Sequence, residues 1–229
     1  MSVQNNTQDP PWKAGLRSAR ANLVPGLVLQ AVALAIVLAY YFHAPTRALF
    51  GSLVDVRTRT GFFFGVVSTG LFGGLVPFLV LRLSPESRPH HRWTEGLWFT
   101  VFWGYKGFEI ELLYRLMAHF IGQGHDVFTI AAKTTVDQLI YCPIYAVPGT
   151  VLAYKWCAVG FATRIVWDDF RAPGWYGRTV LPTLVANMAL WIPAVAIIYA
   201  LPTPLQLPMQ NLVLVFFTLI LAHLNRRRR

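Results

Sequence analysis

A run of ionisable side chains interrupts one of the apolar parts of this chain. The polar seam, defined here as residues 104–143, contains six of them: Lys106, Glu109, Glu111, Arg115, Lys133 and Asp137. An ionisable side chain in the hydrocarbon of a bilayer costs at least about 2.5–3.5 kcal/mol, so such groups need partners or water. Carboxylates and ammonium groups at this density can carry ions or a small solute, exchange protons, or pair with one another.

The spacing of these residues predicts three pairs that each share one face of a helix: Lys106 with Glu109, Glu111 with Arg115, and Lys133 with Asp137. At about 100° per residue, the first two pairs face nearly opposite sides of their helix. The first two pairs lie on one predicted helix and the third pair lies on the next, and a turn near residues 122–124 makes these two helices antiparallel. Matching residues by depth then predicts two contacts across the hairpin, Glu111 with Lys133 and Lys106 with Asp137.

Two interpretations of the polar seam stay open at this point. In the first, the seam lines a water-filled cleft or pore, with Gln138 and Tyr141 among its candidate residues. Hydrogen bonds from Tyr114, Thr134, Thr135 and Tyr141 can extend either arrangement. In the second, the charges neutralise one another and only fix how the helices pack. We predict a break in the fourth helix near Pro143 and Pro148, which favours the first interpretation, because a broken membrane helix can line a cavity.

Signals for catalysis, metals or cofactors are weak in the rest of the chain. His90 and His91 stand in a short loop, and His119 and His125 flank a turn, so the scattered histidines do not form a ligand set. The sequence contains no nucleophile elbow, phosphate-binding loop or Cys-x-x-Cys motif. We therefore predict no catalytic, metal-binding or cofactor-binding residue.

The composition is that of a membrane protein. Of the 229 residues, 55% are hydrophobic and 13% are charged, whereas soluble domains carry about 25% charged residues. The net charge is +10, but the basic residues fall between apolar runs, which indicates membrane topology and no nucleic acid as partner. Cys142 and Cys157 are predicted to be buried small residues.

The sequence predicts an all-α fold, a polytopic membrane helix bundle of about six transmembrane helices. The predicted spans lie at about residues 21–42, 61–83, 93–120, 127–156, 179–201 and 208–224. The predicted parts of the chain are a polar, disordered or interfacial lead (1–20), one transmembrane domain (21–224) and a basic tail (225–229). Two links between spans have a predicted form. Residues 43–60 are predicted to be a polar connector, and Pro202, Pro204 and Pro208 are predicted to make a tight turn.

Glycine spacing in the second span predicts close contact with a neighbouring helix. Gly61 and Gly65 are four residues apart, as are Gly70 and Gly74, and small residues at this spacing let two membrane helices approach closely.

The distribution of basic residues predicts the orientation of the bundle. With six spans, fourteen Lys and Arg residues fall on the side of the two termini and three fall on the other side. By the positive-inside rule, both termini lie on the cytoplasmic or matrix-like side. The terminal residues Arg226, Arg227, Arg228 and Arg229 are predicted to bind anionic lipid. The predicted location is a bacterial inner membrane, with a mitochondrial inner or peroxisomal membrane as the alternative.

Several motifs resemble those of a known family. Lys133-x-x-x-Asp137-Gln138-x-x-x-x-Pro143 is similar to a Lys-x-x-x-Asp-Gln stretch, followed by proline, of the Mpv-seventeen and peroxisomal-membrane-protein-twenty-two family. Two further segments look like parts of it: Gly104-x-x-Gly107 followed by Tyr114-Arg115, and Thr60-Gly61-x-x-x-Gly65. Trp191, Pro193, Pro202, Asn211 and Leu221 fall near the spacing of its C-terminal signature. Phe108, Glu111 and Leu113 stand where the family has Pro, His and Trp.

The resemblance covers about residues 60–222 and implies a distant member of that family. Its members are multi-pass membrane proteins described as channel-forming or as affecting small metabolites. For this chain the resemblance implies a polar pore or cleft around Asp137 and Gln138, with Lys133 beside them.

Three function classes follow from these observations. The first is a channel-like or small-solute-handling membrane protein, which can be a homo-oligomer, with the polar seam as its pore or cleft. The second is a structural or assembly protein of the membrane, whose buried ion pairs only fix helix packing. A membrane enzyme ranks last, because no nucleophile or metal ligands accompany the carboxylates of the seam.

Overall fold

A computed structural model describes residues 10–83 and 92–227 of the chain, with side chains described up to residue 217. The chain is all-α. Its α-helices are α1 (Pro11–Ala21), α2 (Leu23–Phe42), α3 (Ala44–Thr60), α4 (Phe62–Thr69), α5 (Val76–Leu83), α6 (Trp93–Phe120), α7 (Val127–Val136), α8 (Val147–Ala158), α9 (Thr163–Arg171), α10 (Leu181–Tyr199) and α11 (Thr203–Arg227). Three π-helical stretches join some of them: π1 (Gly70–Leu75), π2 (Asp137–Ala146) and π3 (Tyr176–Val180). The predicted loop with His90 and His91, and the side chains of the terminal arginines, lie outside the described residues.

Three helices are long and apolar enough to cross a membrane, judged by length and composition over the described part of the chain. They are Leu23–Phe42, Phe62–Leu83 and Tyr176–Tyr199, with mean hydropathies of 2.3, 2.0 and 1.9. The other long helical stretches carry the polar side chains of the seam or, in α11, a polar beginning, and these residues lower their hydropathy.

The surface of α6 also fits an apolar surrounding. Its exposed apolar side chains recur at helical spacing along one face: Leu97, Val101, Tyr105, Phe108, Leu112 and Leu116. A helix that leaves such a stripe uncovered in water would be an aggregation hazard. The stripe is therefore consistent with contact to lipid, while the buried polar groups of α6 lie on both sides of it.

The described chain divides into two compact units, whereas the sequence predicts one domain over 21–224. Unit 1 contains α1 and Gln138–Trp191, and unit 2 contains Val24–Asp137 together with the segment that begins at Ile192.

In unit 2, glycines bring the rod α4–π1–α5 against α6. A Cβ atom at Gly107 would lie 2.0 Å from the carbonyl oxygen of Gly65, and one at Gly74 would lie 2.6 Å from the carbonyl oxygen of Phe99. Backbones this close leave no room for a side chain. Gly65 and Gly74 thus have the close packing that their spacing predicts.

Gly61 has a different role from the predicted one. Open space surrounds it, and its φ of +56° places it in the left-handed region at the corner between α3 and α4. The residues before it, predicted as a polar connector, form the helix α3. Thr46, Phe50, Leu53 and Arg57 point to one side of α3 and are partly or fully buried, so α3 packs on the bundle through one face.

Unit 1 has its own apolar core. It consists of Cys142, Val147, Trp175, Val180 and Leu184. The predicted disordered or interfacial lead contributes a packed helix to this unit, because a Cβ atom at Gly15 of α1 would lie 2.6 Å from the carbonyl oxygen of Pro182. Residues 1–9 of the lead lie outside the described range.

The prolines of the chain act at three kinds of position. Pro143 lies inside π2, where its missing N–H removes a helical hydrogen bond, and a π-helical stretch accommodates such a local change. Pro148 lies in the first turn of α8, which tolerates proline. The predicted three-proline turn is shorter than expected, because α11 begins at Thr203 and includes Pro204 and Pro208.

An ion-pair cluster lies in the link between α8 and π3 of unit 1. The Nζ atom of Lys155 is 2.5 Å from Oδ2 of Asp169, and Arg178 is 4.0 Å from Oδ1 of the same carboxylate. The hydrogen bond from Lys155 is the main cause that lowers the pKa of Asp169 below its ordinary value.

This lowered pKa predicts a loss of stability in acid. A carboxylate whose folded pKa is depressed stabilises the fold above its unfolded pKa, about 3.9, and the stabilisation is lost as the pH falls through the folded pKa. We expect the thermal midpoint of the detergent-solubilised protein to fall more steeply below about pH 4 in the wild type than in Asp169→Asn. The matched control is Asp168→Asn, whose carboxylate is largely exposed. An Asp168→Asn protein that also lost the steep fall would contradict the assignment.

Candidate functional site

Lys133 is the most unusual polar residue of unit 2. Its side chain, on α7, is buried, with a relative exposure of 1%, yet no carboxylate of the described residues lies within 4.0 Å of its Nζ atom. The nearest recorded partner is the ring of Tyr199, whose centroid is 5.8 Å from Nζ. A lysine at this position has a π face as its partner, where the sequence predicts an acid.

Tyr199 connects Lys133 to Asp137. The hydroxyl of Tyr199, on α10, donates a hydrogen bond of 2.8 Å to Oδ2 of Asp137. Lys133 and Asp137 share a helical face, as their spacing predicts, but they meet through this tyrosine and form no direct ion pair. Asp137 is itself buried, at the first position of π2.

The polar contacts continue from Tyr199 across the unit. The ring of Tyr199 packs edge-on against that of Tyr114 of α6, at a centroid distance of 5.5 Å. The hydroxyl of Tyr114 in turn donates to Oε1 of Gln210 on α11. Next to it on α11, Asn211 exchanges hydrogen bonds of 2.9 Å with Thr69 and Ser68 of α4.

These residues form one set, called here the polar layer: Lys133, Asp137, Tyr199, Tyr114, Gln210, Asn211, Thr69 and Ser68. Five α-helices and the first residue of π2 contribute to it, and most of the set is buried. Hydroxyl, amide, carboxylate and ammonium groups that are buried close together in this way can bind an ion or a small solute.

A second buried cluster lies nearer the end of α6. Glu111 has an exposure of 0%, and its Oε2 atom accepts hydrogen bonds of 3.1 and 2.5 Å from Nε and Nη2 of Arg57. Its Oε1 atom accepts one of 2.8 Å from Nε of Arg115. Arg57 also donates to the carbonyl oxygen of Thr203 at 2.7 Å. We call Arg57, Glu111 and Arg115 the arginine clamp.

A third pair is local to α6. Lys106 and Glu109 form an ion pair three residues apart, and both side chains are largely buried. The spacing of these two residues predicts this contact.

One predicted contact across the hairpin is wrong. Glu111 does not bind Lys133, because its two carboxylate oxygens are already taken by Arg57 and Arg115. The second predicted contact, between Lys106 and Asp137, stays a prediction. Gln138 is buried and Tyr141 half-buried on π2 in unit 1, next in sequence to the polar layer.

A pocket lies beside the arginine clamp. It has a volume of about 450 Å³, and the residues that line it come from α3, α6, the turn after α6 and the start of α11: Arg57, Thr58, Glu111, Arg115, Ala118, His119, Gln123, Thr203 and Pro204. Its polar lining consists mainly of nitrogen-bearing side chains.

Sequence reasoning missed Arg57 and Tyr199. Arg57 was placed in a connector, although Thr46, Phe50, Leu53 and Arg57 follow a helical period that could have placed Arg57 on a packed face. Tyr199 was not singled out as a site residue, and nothing in its local sequence distinguishes a buried tyrosine from an interfacial one.

Metal chemistry has no candidate in the part of the chain that the structure describes. No group of three or more His, Cys, Asp or Glu residues there is placed to hold a metal ion.

Comparison with known proteins adds no relatives. No protein-family model, curated protein or solved structure matches the chain. The resemblance to the Mpv-seventeen and peroxisomal-membrane-protein-twenty-two family therefore stays a prediction.

Proposed function

We propose that the protein is a multi-pass membrane protein that conducts or binds a small ion or solute at the polar layer of unit 2. The observation that carries the proposal is Lys133. Its ammonium group is buried beside Tyr199 and has no carboxylate within 4.0 Å among the described residues. A residue kept only for packing is expected to close an ion pair, as Lys106 does with Glu109.

The arrangement of donors and acceptors supports the same proposal. Oδ2 of Asp137 accepts a hydrogen bond of 2.8 Å from the neutral hydroxyl of Tyr199, and Nζ of Lys133 lies 5.8 Å from the centroid of the same tyrosine ring. A cation or a proton that enters here can replace the tyrosine hydroxyl at the carboxylate, and an anion can meet the ammonium group. Ionisable residues inside a membrane often mark ion and proton pathways.

The proposed topology has six spans. Beside the three apolar helices, the helix α6, the continuous stretch α7–π2–α8 and the helix α11 are each long enough to cross a bilayer of about 30 Å. Both termini then lie on the cytoplasmic or matrix-like side, as the distribution of Lys and Arg favours. A bacterial inner membrane, contact of the terminal arginines with anionic lipid, and assembly into homo-oligomers belong to the same proposal.

Flux through the polar layer is the direct test. Liposomes that contain the protein enclose a dye that is sensitive to protons, to potassium or to chloride, and a gradient of the same ion is imposed across the membrane. We expect the wild type to dissipate at least one of these three gradients. Lys133→Met and Asp137→Asn are each expected to reduce the flux rate about tenfold or more, because each removes a charged group from the layer. A tenfold lower rate corresponds to an activation free energy that is about 1.4 kcal/mol higher. Thermal midpoints measured on the same samples show whether the variants are folded.

Lys155→Met is the matched control, because it removes a lysine that pairs with Asp169 outside the layer. We expect its flux to equal that of the wild type. If the wild type moves none of the three ions faster than empty liposomes do, or if all three variants lose flux equally, a conducting polar layer is excluded.

The arginine clamp favours a second candidate function, a structural or assembly protein of the membrane. Glu111 is fully enclosed between two guanidinium groups, and a buried, fully paired cluster can fix helix packing without further activity. This function predicts no flux, and it predicts that Asp137→Ala lowers the thermal midpoint without any activity to lose.

A further inference from the structure

We propose that the pocket beside the arginine clamp binds the phosphate group of a headgroup-sized molecule. The site goes beyond the polar layer and does not depend on flux through it. It involves different residues at the end of α6, and its ligand is an oxyanion held by Arg115, His119 and Gln123.

The two arginines of the pocket differ in how many of their nitrogen atoms are available to a ligand. Each nitrogen of Arg57 already donates a hydrogen bond, because Nε and Nη2 bind Glu111 and Nη1 binds the carbonyl oxygen of Thr203. Arg115 uses only Nε on Glu111. Its two terminal nitrogens make no hydrogen bond with the described residues, and its side chain is 48% exposed at the pocket.

The orientation of Arg115 is fixed from two directions. Glu111 holds its Nε atom at 2.8 Å, and the ring of Phe62 lies beneath its guanidinium carbon at 4.6 Å from the ring centroid. A guanidinium held in this way presents its remaining N–H groups as a fork, which matches two oxygens of a phosphate. Little side-chain freedom is left to lose on binding.

The charge of the lining favours an anion. Among the lining residues, Arg57 and Arg115 carry positive charge and Glu111 carries one negative charge, so one positive charge remains when His119 is neutral. Both oxygens of Glu111 accept hydrogen bonds from the arginines, which shields its charge from a ligand. His119 and Gln123 add donors at the same pocket.

The size and surroundings of the pocket narrow the ligand. A volume of about 450 Å³ is in the range of small-molecule sites, about 300–1,000 Å³, and exceeds what a bare phosphate ion fills. Phe120, Val127 and Phe128, which flank the turn after α6, are largely exposed. Apolar side chains exposed at this end are expected at bilayer depth, where lipid phosphates lie. A glycerol phosphate group, on a lipid or free in solution, fits both observations.

The test uses the full-length protein in an uncharged detergent. Phosphatidylglycerol and phosphatidylcholine are the lipid probes, and free glycerol phosphate is the soluble probe. Native mass spectrometry counts the bound lipids, and a thermal-shift titration gives the affinity for each probe. We expect phosphatidylglycerol, glycerol phosphate or both to bind, and Arg115→Gln to weaken that binding about tenfold or more, because it removes a charge-assisted fork.

Arg59→Gln is the matched control, because Arg59 is exposed on α3 and does not line the pocket. Its affinity is expected to equal that of the wild type. The double variant His119→Ala/Gln123→Ala changes two exposed residues. Its affinity for the same probes tests the pocket if Arg115→Gln fails to fold.

The outcomes separate the two sources of phosphate. Binding of phosphatidylglycerol alone assigns the site to a lipid headgroup, and binding of glycerol phosphate alone assigns it to a soluble ester. The proposal is overturned if neither phosphatidylglycerol nor glycerol phosphate binds. It is also overturned if phosphatidylcholine binds as tightly as phosphatidylglycerol while glycerol phosphate does not bind. A third contradicting outcome is that Arg59→Gln weakens binding as much as Arg115→Gln does.

Discussion

Glu111→Gln is expected to destabilise the protein by about 3–5 kcal/mol, the usual effect of removing one partner from a buried ion pair. The amide keeps the shape of the side chain but not its charge. Arg57, whose side chain is only 6% exposed, then keeps its positive charge with a neutral partner and the carbonyl oxygen of Thr203. The measurement is reversible unfolding in mixed micelles of denaturing and mild detergent, followed by the tryptophan fluorescence.

Two further variants decide whether the buried charge is the cause. Asp55→Asn removes an exposed carboxylate from α3 and is expected to stay within about 0.5 kcal/mol of the wild type. The double variant Arg57→Met/Glu111→Leu removes both charges, and it should be more stable than Glu111→Gln, because replacing a whole buried pair by apolar residues is often neutral. A double variant less stable than the single one would refute this explanation.

The helices were the part of the structure that the sequence could predict. Long apolar runs bounded by polar or glycine-rich links set α2, the rod α4–π1–α5, and α6 to within a few residues, because a chain in lipid must satisfy its backbone groups internally. Glycines four residues apart predicted a close approach, and Gly65 against Gly107 realises it. These features depend on local composition, so one sequence is enough to read them.

Contacts between helices were harder to predict, and Glu111 shows why. Matching residues of two antiparallel helices by their distance from the turn between them predicts which residues lie at the same depth. It leaves open the rotation of each helix about its own axis. Glu111 is turned toward α3, a helix that the prediction left as a connector, and not toward Lys133. Arg57 offers the carboxylate of Glu111 two N–H donors in a rigid fork, whereas a lysine has no such planar fork.

Tyr199 illustrates a second limit. An aromatic residue at the end of an apolar span is most often an interfacial anchor, and its own neighbours in sequence do not distinguish that role from a buried one. Only the fold places its hydroxyl on Asp137 and its ring under Lys133. Lys133 and Asp137 were therefore found from sequence, whereas the neutral side chain that lies between them was not.

Gly107→Ala is expected to destabilise the protein by about 3 kcal/mol, at the upper end of the effects of overpacking. The added methyl group would lie 2.0 Å from the carbonyl oxygen of Gly65 and 2.7 Å from its carbonyl carbon. Both are backbone atoms, so no rotamer change can make room, and α4 and α6 must move apart. That movement also strains the arginine clamp, because Glu111 lies one turn further along α6 and a Cβ atom at Gly65 would be 3.3 Å from its Cβ.

Gly149→Ala is the control that separates steric conflict from helix propensity. Gly149 lies in α8 with no atom near its missing side chain, so alanine there is expected to leave stability unchanged or raise it by up to about 1 kcal/mol. Both variants are compared with the wild type by the same detergent unfolding. Because alanine is the better helix former at both positions, a loss confined to Gly107→Ala measures the helix contact itself. Equal stability of the two variants would mean that α4 and α6 are not held at this distance.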